Sequence, residues 1–199
     1  MLDLTTQKML FISQKKEMVE VFTDFETKNK YAVLDESGQQ VFFAAEKGGG
    51  FFMRQFLNTQ RSFEMDVIDK EQNLFLKFRR PFKFFWDELS IFDSNDVQLG
   101  TIKWQFAILK KKFLVLGKMG EELCRIEAPA LKPWTFKLLK EENQIGQITK
   151  RWSGALKEMF TDADNFTVEF PLNFDHSQRA LLLGALILID FKYFEKKNN

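Results

Sequence analysis

The sequence predicts a mainly β protein, an antiparallel closed β-barrel enclosing a central hydrophobic C-terminal α-helix, and three observations lead there. Short apolar runs separated by polar turns fill the chain from Asn29 to Phe170. They are followed by a block of ten uncharged, almost wholly apolar residues, Ala180 to Ile189 (ALLLGALILI). The aromatic complement is 24 Phe against 2 Tyr, which supplies large buried area without polar tips that need partners. Many short antiparallel strands need an interior, and an all-apolar helix needs an enclosure. A barrel wrapped around the helix meets both needs.

Residues 1–24 form a lead that holds the first strand or strands. Asp3 and Lys8 interrupt its apolar character, so it does not resemble a secretory signal and a cytosolic start is expected. Residues 25–195 form one barrel domain, and 196–199 a polar tail. Within the domain, Tyr31 to Leu34 and Val41 to Ala45 flank DESGQQ, Phe63 to Ile68 and Leu74 to Phe78 flank DKEQN, and Leu89 to Phe92 and Gly100 to Trp104 flank DSNDVQL. Phe113 to Leu116 and Leu123 to Ile126 flank GKMGEE, and Phe136 to Leu139 and Ile145 to Thr149 flank KEENQ. The turns carry Asp, Asn or Gly, and the runs alternate with the period of two of a half-buried strand. Regular hairpin spacing favours an antiparallel sheet or barrel over βαβ units, a repeated architecture without a repeated motif.

The last element is the helix. Ten residues at about 1.5 Å each cover about half of a bilayer's hydrocarbon core, and Arg179, Asp190, Lys192 and Glu195 close its ends, so burial inside protein is expected over a membrane span. Leu181, Leu182, Leu183, Leu186, Ile187, Leu188 and Ile189 occupy every side of it, as a surrounded helix requires. Gly184 would let a strand approach closely.

A formal charge of +1 supplies no large field, and no nucleic-acid partner is expected. The single Cys124 and single His176 cannot build a disulfide or a Cys/His zinc site. Gly48, Gly49 and Gly50 lack the Lys and Ser or Thr of a phosphate loop, and His176 in FDHSQRA reads as a loop or helix-start residue, so no enzyme is expected.

Three strings carry a family likeness: FETKNKYAVLDESGQQVFFAAE (Phe25 to Glu46), GQITKRWSGALKEMFTDADNFTVEFPLNFD (Gly146 to Asp175) and ALLLGALILIDFKYFE (Ala180 to Glu195). In order and over nearly the whole chain they resemble the phospholipid scramblase family, which is similar in fold to the tubby and LURP-one-related proteins. The resemblance implies a barrel around a C-terminal helix. It also implies calcium-stimulated, ATP-independent, bidirectional movement of phospholipids between leaflets, at the cytosolic face of the plasma membrane or in the cytoplasm with peripheral association. The resemblance also implies, for eukaryotic members, the usual Pro-rich N-terminal extension, where this chain has a short lead. They also carry a cysteine-rich palmitoylation segment after an RP dipeptide, where this chain reads RPFKFFWDE (Arg80 to Glu88).

The family's calcium loop maps onto Asp162 to Asn173, with Asp162, Asp164, Asn165 and Asn173 as ligands. Calcium wants six to eight hard oxygens. Phe166 and Thr167 stand where a ligand and a Gly are needed, so the residues themselves read as a capping turn entering a strand, and any Ca2+ binding is expected to be weak. Two clusters suit a membrane surface. KGGGFFMRQFL offers Phe51, Phe52 and Phe56, and KFRRPFKFFW interleaves Lys77, Arg79, Arg80 and Lys83 with Phe84, Phe85 and Trp86. Rings can enter an interface while basic groups meet the phosphates of an anionic bilayer. The competing reading folds the rings inward and leaves the charges solvated.

Phospholipids and an anionic membrane surface are therefore the expected partners. A barrel with its helix inside has no spanning element, so scrambling would need insertion, a homo-oligomer or bilayer deformation. The alternative is a peripheral lipid-sensing module that recruits partners and flips nothing.

Overall fold

The protein is described by a computed structural model covering residues 3–14, 30–47, 62–82, 87–131, 134–150 and 165–194. Twelve strands follow one another around a closed antiparallel barrel. They are β1 (Met9–Gln14), β2 (Lys30–Leu34), β3 (Gln40–Glu46), β4 (Phe63–Asp69), β5 (Leu74–Arg80) and β6 (Glu88–Asp93). The second half comprises β7 (Gln98–Gln105), β8 (Lys110–Gly117), β9 (Glu122–Pro129), β10 (Thr135–Lys140), β11 (Asn143–Thr149) and β12 (Asn165–Glu169). Each strand pairs with its chain neighbour, and β1 closes the cylinder against β12, with Leu10 opposite Val168 and Ile12 opposite Phe166.

Every expected apolar run lies within one of these strands, but pairing continues into polar neighbours. β8 starts at Lys110, three positions before Phe113, because Lys110, Lys111 and Lys112 pair with Pro129, Ala128 and Glu127. Alternation is clear in β4, where Phe63, Met65 and Val67 are buried and Glu64 is exposed. It fails in β3, buried from Val41 to Glu46, and Phe11, Ala32 and Leu34 form a second apolar cluster on β1 and β2. Period-two reasoning assumes one solvated face, and these strands do not have one.

Four hairpins share one turn. The N–H of Asp35, Asp69, Asp93 and Gly117 donates to the carbonyl four residues on, and the residue at the fourth position donates back. That fourth residue is left-handed in each: Gly38 (φ 82°), Gln72 (φ 65°), Asp96 (φ 62°) and Gly120 (φ 83°). The three aspartates also accept from backbone N–H groups two and four residues ahead, which is why Asp opens these turns.

The helix α1 (His176–Tyr193) extends four residues beyond the apolar block at each end. Asp175 caps it and Gln178 completes a capping box, so the helix begins at His176. Its 18 residues run about 27 Å, enough to traverse the barrel. All residues from Arg179 to Phe191 are buried. Neighbours come from around the cylinder: Tyr31 of β2 donates to Asp190 at 2.6 Å, Phe63 of β4 packs on Phe191, and Phe113 of β8 and Phe136 of β10 pack on Tyr193. A Cβ on Gly184 would stand 2.7 Å from Cγ1 of Ile91, so this glycine admits β6 to the helix backbone. Each buried Leu or Ile contributes about 1.5 to 3 kcal/mol. The helix is the core around which the strands close.

The end where α1 begins is sealed by Arg179. Its guanidinium donates to the carbonyls of Phe174, Pro171 and Leu172 beside the helix, and to Leu4, Thr5 and Gln7 of the lead.

Candidate functional site

The meander gives the barrel two unlike mouths. Hairpin turns at 35–39, 69–73, 93–97, 117–121 and 140–143 close the end where α1 starts. At the opposite end, where α1 finishes at Tyr193, stand residues 106–109 between β7 and β8, and Ala130, Leu131 and Trp134 between β9 and β10. Lys47, Ser62, Phe82 and Asp87, which flank both aromatic clusters of the sequence, stand at this second mouth.

Here cations surround the helix end, each over an aromatic ring. The Arg80 guanidinium lies 4.7 Å from the Phe191 centroid, Lys192 Nζ 4.0 Å from Trp104, Lys111 Nζ 4.6 Å from Tyr193 and Lys150 Nζ 3.7 Å from Phe194. Cations are favoured at a helix C-terminus, and desolvated rings strengthen the attraction. Trp104 Nε1 donates to the Tyr193 hydroxyl at 2.9 Å, and burial pushes that hydroxyl up to about 12, so Tyr193 is neutral at physiological pH. Asp87 sits between two of the cations, accepting from Arg80 Nε and Lys192 Nζ, both at 2.7 Å. Burial alone would raise the Asp87 carboxyl, but the bonds and charges of Arg80 and Lys192 outweigh it and hold the group below its ordinary value. The helix end is thereby fastened to β5 and to the residue preceding β6.

The sequence-derived candidates divide by the strand's parity. In β5, Leu76 and Phe78 face inward and so does Arg80, whose side chain is 4% exposed. Lys77 and Arg79 reach the outer wall and donate to Asp96 at 2.8 and 2.7 Å, with Arg79 also 4.6 Å from the Phe92 ring. Lys83, Phe84, Phe85, Trp86, Phe51, Phe52 and Phe56 lie outside the described residues, as do Asp162 and Asp164. Asn165 opens β12 at the second mouth, and Asn173 follows the strand's far end, near the hairpin mouth. The intervening strand spans about 16 Å, so those two amides cannot share one cation with ligand distances of about 2.3 to 2.6 Å. Among the described residues no three His, Cys, Asp or Glu side chains gather as a metal site. Cys124 is buried and its thiol is pushed up to about 12 by burial, which makes it a core residue and no acceptor for a lipid chain.

Other candidates went unnoticed in the sequence. Nine large hydrophobics are exposed among the described residues, and six of them (Phe82, Phe106, Ile108, Leu109, Leu131 and Trp134) stand at the mouth where α1 ends, against Val97, Met119 and Leu172 at the other. The signal was present in FAILKKK, an apolar tetrad followed at once by three lysines, which falls between the runs Gly100 to Trp104 and Phe113 to Leu116.

A family model described as Scramblase matches residues 1–196. Phospholipid scramblase 1 of Rattus norvegicus is 31% identical over 210 residues, covering 98% of this chain and 62% of its own length. Phospholipid scramblase 2 of Bos taurus is 32% identical over 206 residues, covering 96% of this chain and 70% of its own. The chain thus spans 62% of the length of the rat protein. A crystal structure of an Arabidopsis thaliana protein aligns with a TM-score of 0.50 at 13% identity, covering 92% of this chain and 93% of that one, a likeness of fold alone.

Proposed function

The chain belongs to the scramblase family, and from that premise we propose that it moves phospholipids between the leaflets of a bilayer, in both directions, without ATP and with calcium stimulation, from the cytosolic face of the plasma membrane. The observation that carries this reading is the continuity of the family match, which takes in barrel and helix together over residues 1–196. Lys110 and Lys112 beside the exposed Phe106, Ile108 and Leu109 at the mouth where α1 ends add physical support, because basic groups beside apolar ones suit an anionic phospholipid surface.

Moving a headgroup through hydrocarbon is slow because its charges must be stripped of water. Among the described residues no helix is long and apolar enough to cross a membrane, and α1 fills the barrel. In this proposal, lipid movement proceeds by local deformation of the bilayer under the barrel's aromatic mouth, with self-association enlarging the deformed area. Calcium, held weakly by the carboxylates of Asp162 and Asp164 ahead of β12 in the chain, would supply the stimulation.

The placement of α1 favours a second reading, a peripheral module that senses anionic lipid and recruits partners. Fluorescent-lipid scrambling in proteoliposomes, with and without calcium, separates the two. Lipid exchange above protein-free vesicles supports scrambling. Vesicle binding with no exchange under either condition supports the module and ends the transport reading.

A further inference from the structure

We infer that the edge formed by the β7–β8 connection and the start of the β9–β10 connection, Ala130 and Leu131, is where the barrel docks on an anionic phospholipid bilayer. This inference rests on the lipid reading above and gives it a location on the described surface.

The two connections behave as one edge, since the Ala130 N–H donates to the Leu109 carbonyl at 3.0 Å. Along it stand Phe106, Ile108, Leu109 and Leu131, with 78, 80, 82 and 86% of their surface in water. Such exposure is costly to maintain at loop tips that could carry polar residues, and four such side chains in two short connections form a wedge. Phe106 is steadied from behind by an edge contact with Trp104, at 6.2 Å between ring centroids.

Charge decides the occupant. Lys110, Lys111 and Lys112 follow the first tip without interruption, and Lys150 lies beyond the second, over Phe194. The carboxylate facing this group from β9 is Glu127, bonded to Lys110 at 2.6 Å. An apolar tip with basic side chains one step behind it matches the layering of a bilayer surface, with acyl chains below and phosphates above. A protein partner would need a broad complementary face, and the four exposed side chains of this edge offer a narrow one.

The test is flotation of the full chain with phosphatidylcholine vesicles, with and without phosphatidylserine. Two variants are compared with wild type: F106S/I108S/L109S and K110Q/K112Q. All five positions lie on connections or the outward end of β8, and far-UV circular dichroism checks the fold. The apolar variant should lose more than about tenfold in partition onto phosphatidylserine vesicles. The lysine variant should lose affinity for those vesicles while its weak binding to phosphatidylcholine stays the same. A Leu109→Cys protein labelled with a polarity-sensitive dye, native Cys124 being buried, should shift to the blue on the same vesicles. Wild-type binding that survives the apolar substitutions, with no dye shift, overturns the docking edge and leaves the lipid reading standing. Failure of the wild type to bind either vesicle overturns both. If the apolar variant instead converts a dimer to a monomer in sedimentation with vesicle binding unchanged, the edge joins two copies of this chain and the inference is wrong.

Discussion

Replacing Asp87 by Asn removes the charge that holds the end of α1. Asp87 is 10% exposed and accepts from Arg80, 4% exposed, and from Lys192, 19% exposed, each at 2.7 Å. Removing one partner of a buried ion pair costs about 3 to 5 kcal/mol, because the remaining charge stays desolvated. Lys192 can swing toward water past Trp104, so the low end applies and the expected loss is about 3 kcal/mol. For a chain of this size that lowers Tm by roughly 6 to 12 °C. Urea unfolding followed by far-UV circular dichroism should show a lower midpoint with an unchanged m-value. Replacing all three groups together, R80M/D87L/K192M, should recover most of the loss, since an apolar triad carries no desolvation penalty. The acid limb provides a second readout. Asp87 is held below its ordinary value of 3.8, so its stabilisation is complete above that pH and disappears as pH falls through the lower native value. Asp35 and Asp69 are also lowered, so the Asn variant should show a shallower acid limb, not a flat one. A loss below about 1 kcal/mol would show that α1 is held by its apolar contacts alone.

Gly184→Ala gains about 1 kcal/mol of helix propensity but places a methyl 2.7 Å from Ile91 Cγ1, so a net loss of about 1 kcal/mol is expected, with the sign reversed in an Ile91→Ala background. Thermal melts of the four proteins close the cycle, and stabilisation by Gly184→Ala alone would contradict the close approach. Gln72→Gly should raise stability by about 0.5 to 1 kcal/mol, because Gln72 is left-handed at φ 65° and its turn bond to Asp69 comes from the backbone; a lower urea midpoint would count against it. Calorimetric titration should give weak calcium binding, with Kd in the range of about 10⁻⁴ to 10⁻³ M, that disappears in Asp162→Ala and Asp164→Ala. Equal heats in all three proteins would remove those carboxylates from consideration.

The barrel was legible because two periodicities were strong. Leu181 to Ile189 left no polar side for water, and runs such as Phe63 to Ile68 alternated cleanly. Arg80 was legible too, but by parity: Leu76, Phe78 and Arg80 share the inner face, whereas composition grouped Arg80 with the basic surface residues beside it. β1 was expected only as a strand somewhere within residues 1–24, because Leu10 to Ser13 are buried on both faces and show no period of two. The cations at the helix end could not have been read, since Arg80, Lys111, Lys150 and Lys192 meet only through barrel closure. The edge at Phe106 to Leu109 depended on where β7 stops, and local propensity decides strand ends poorly.

The order of the elements along the chain has a consequence for biosynthesis. The filling of the cylinder is made after its staves: α1 follows all twelve strands, and β1 waits for β12 before the ring can shut. Until the helix leaves the ribosome, the inward rings of Phe113 and Phe136 lack the Tyr193 ring on which they pack. Folding must then assemble distant segments at once, as when Arg179 grips Leu4 across 175 positions, a topology expected to be slow and to expose sticky intermediates. A ribosome stalled before residue 176 would therefore hold an apolar trough, and chaperone demand should peak before α1 emerges.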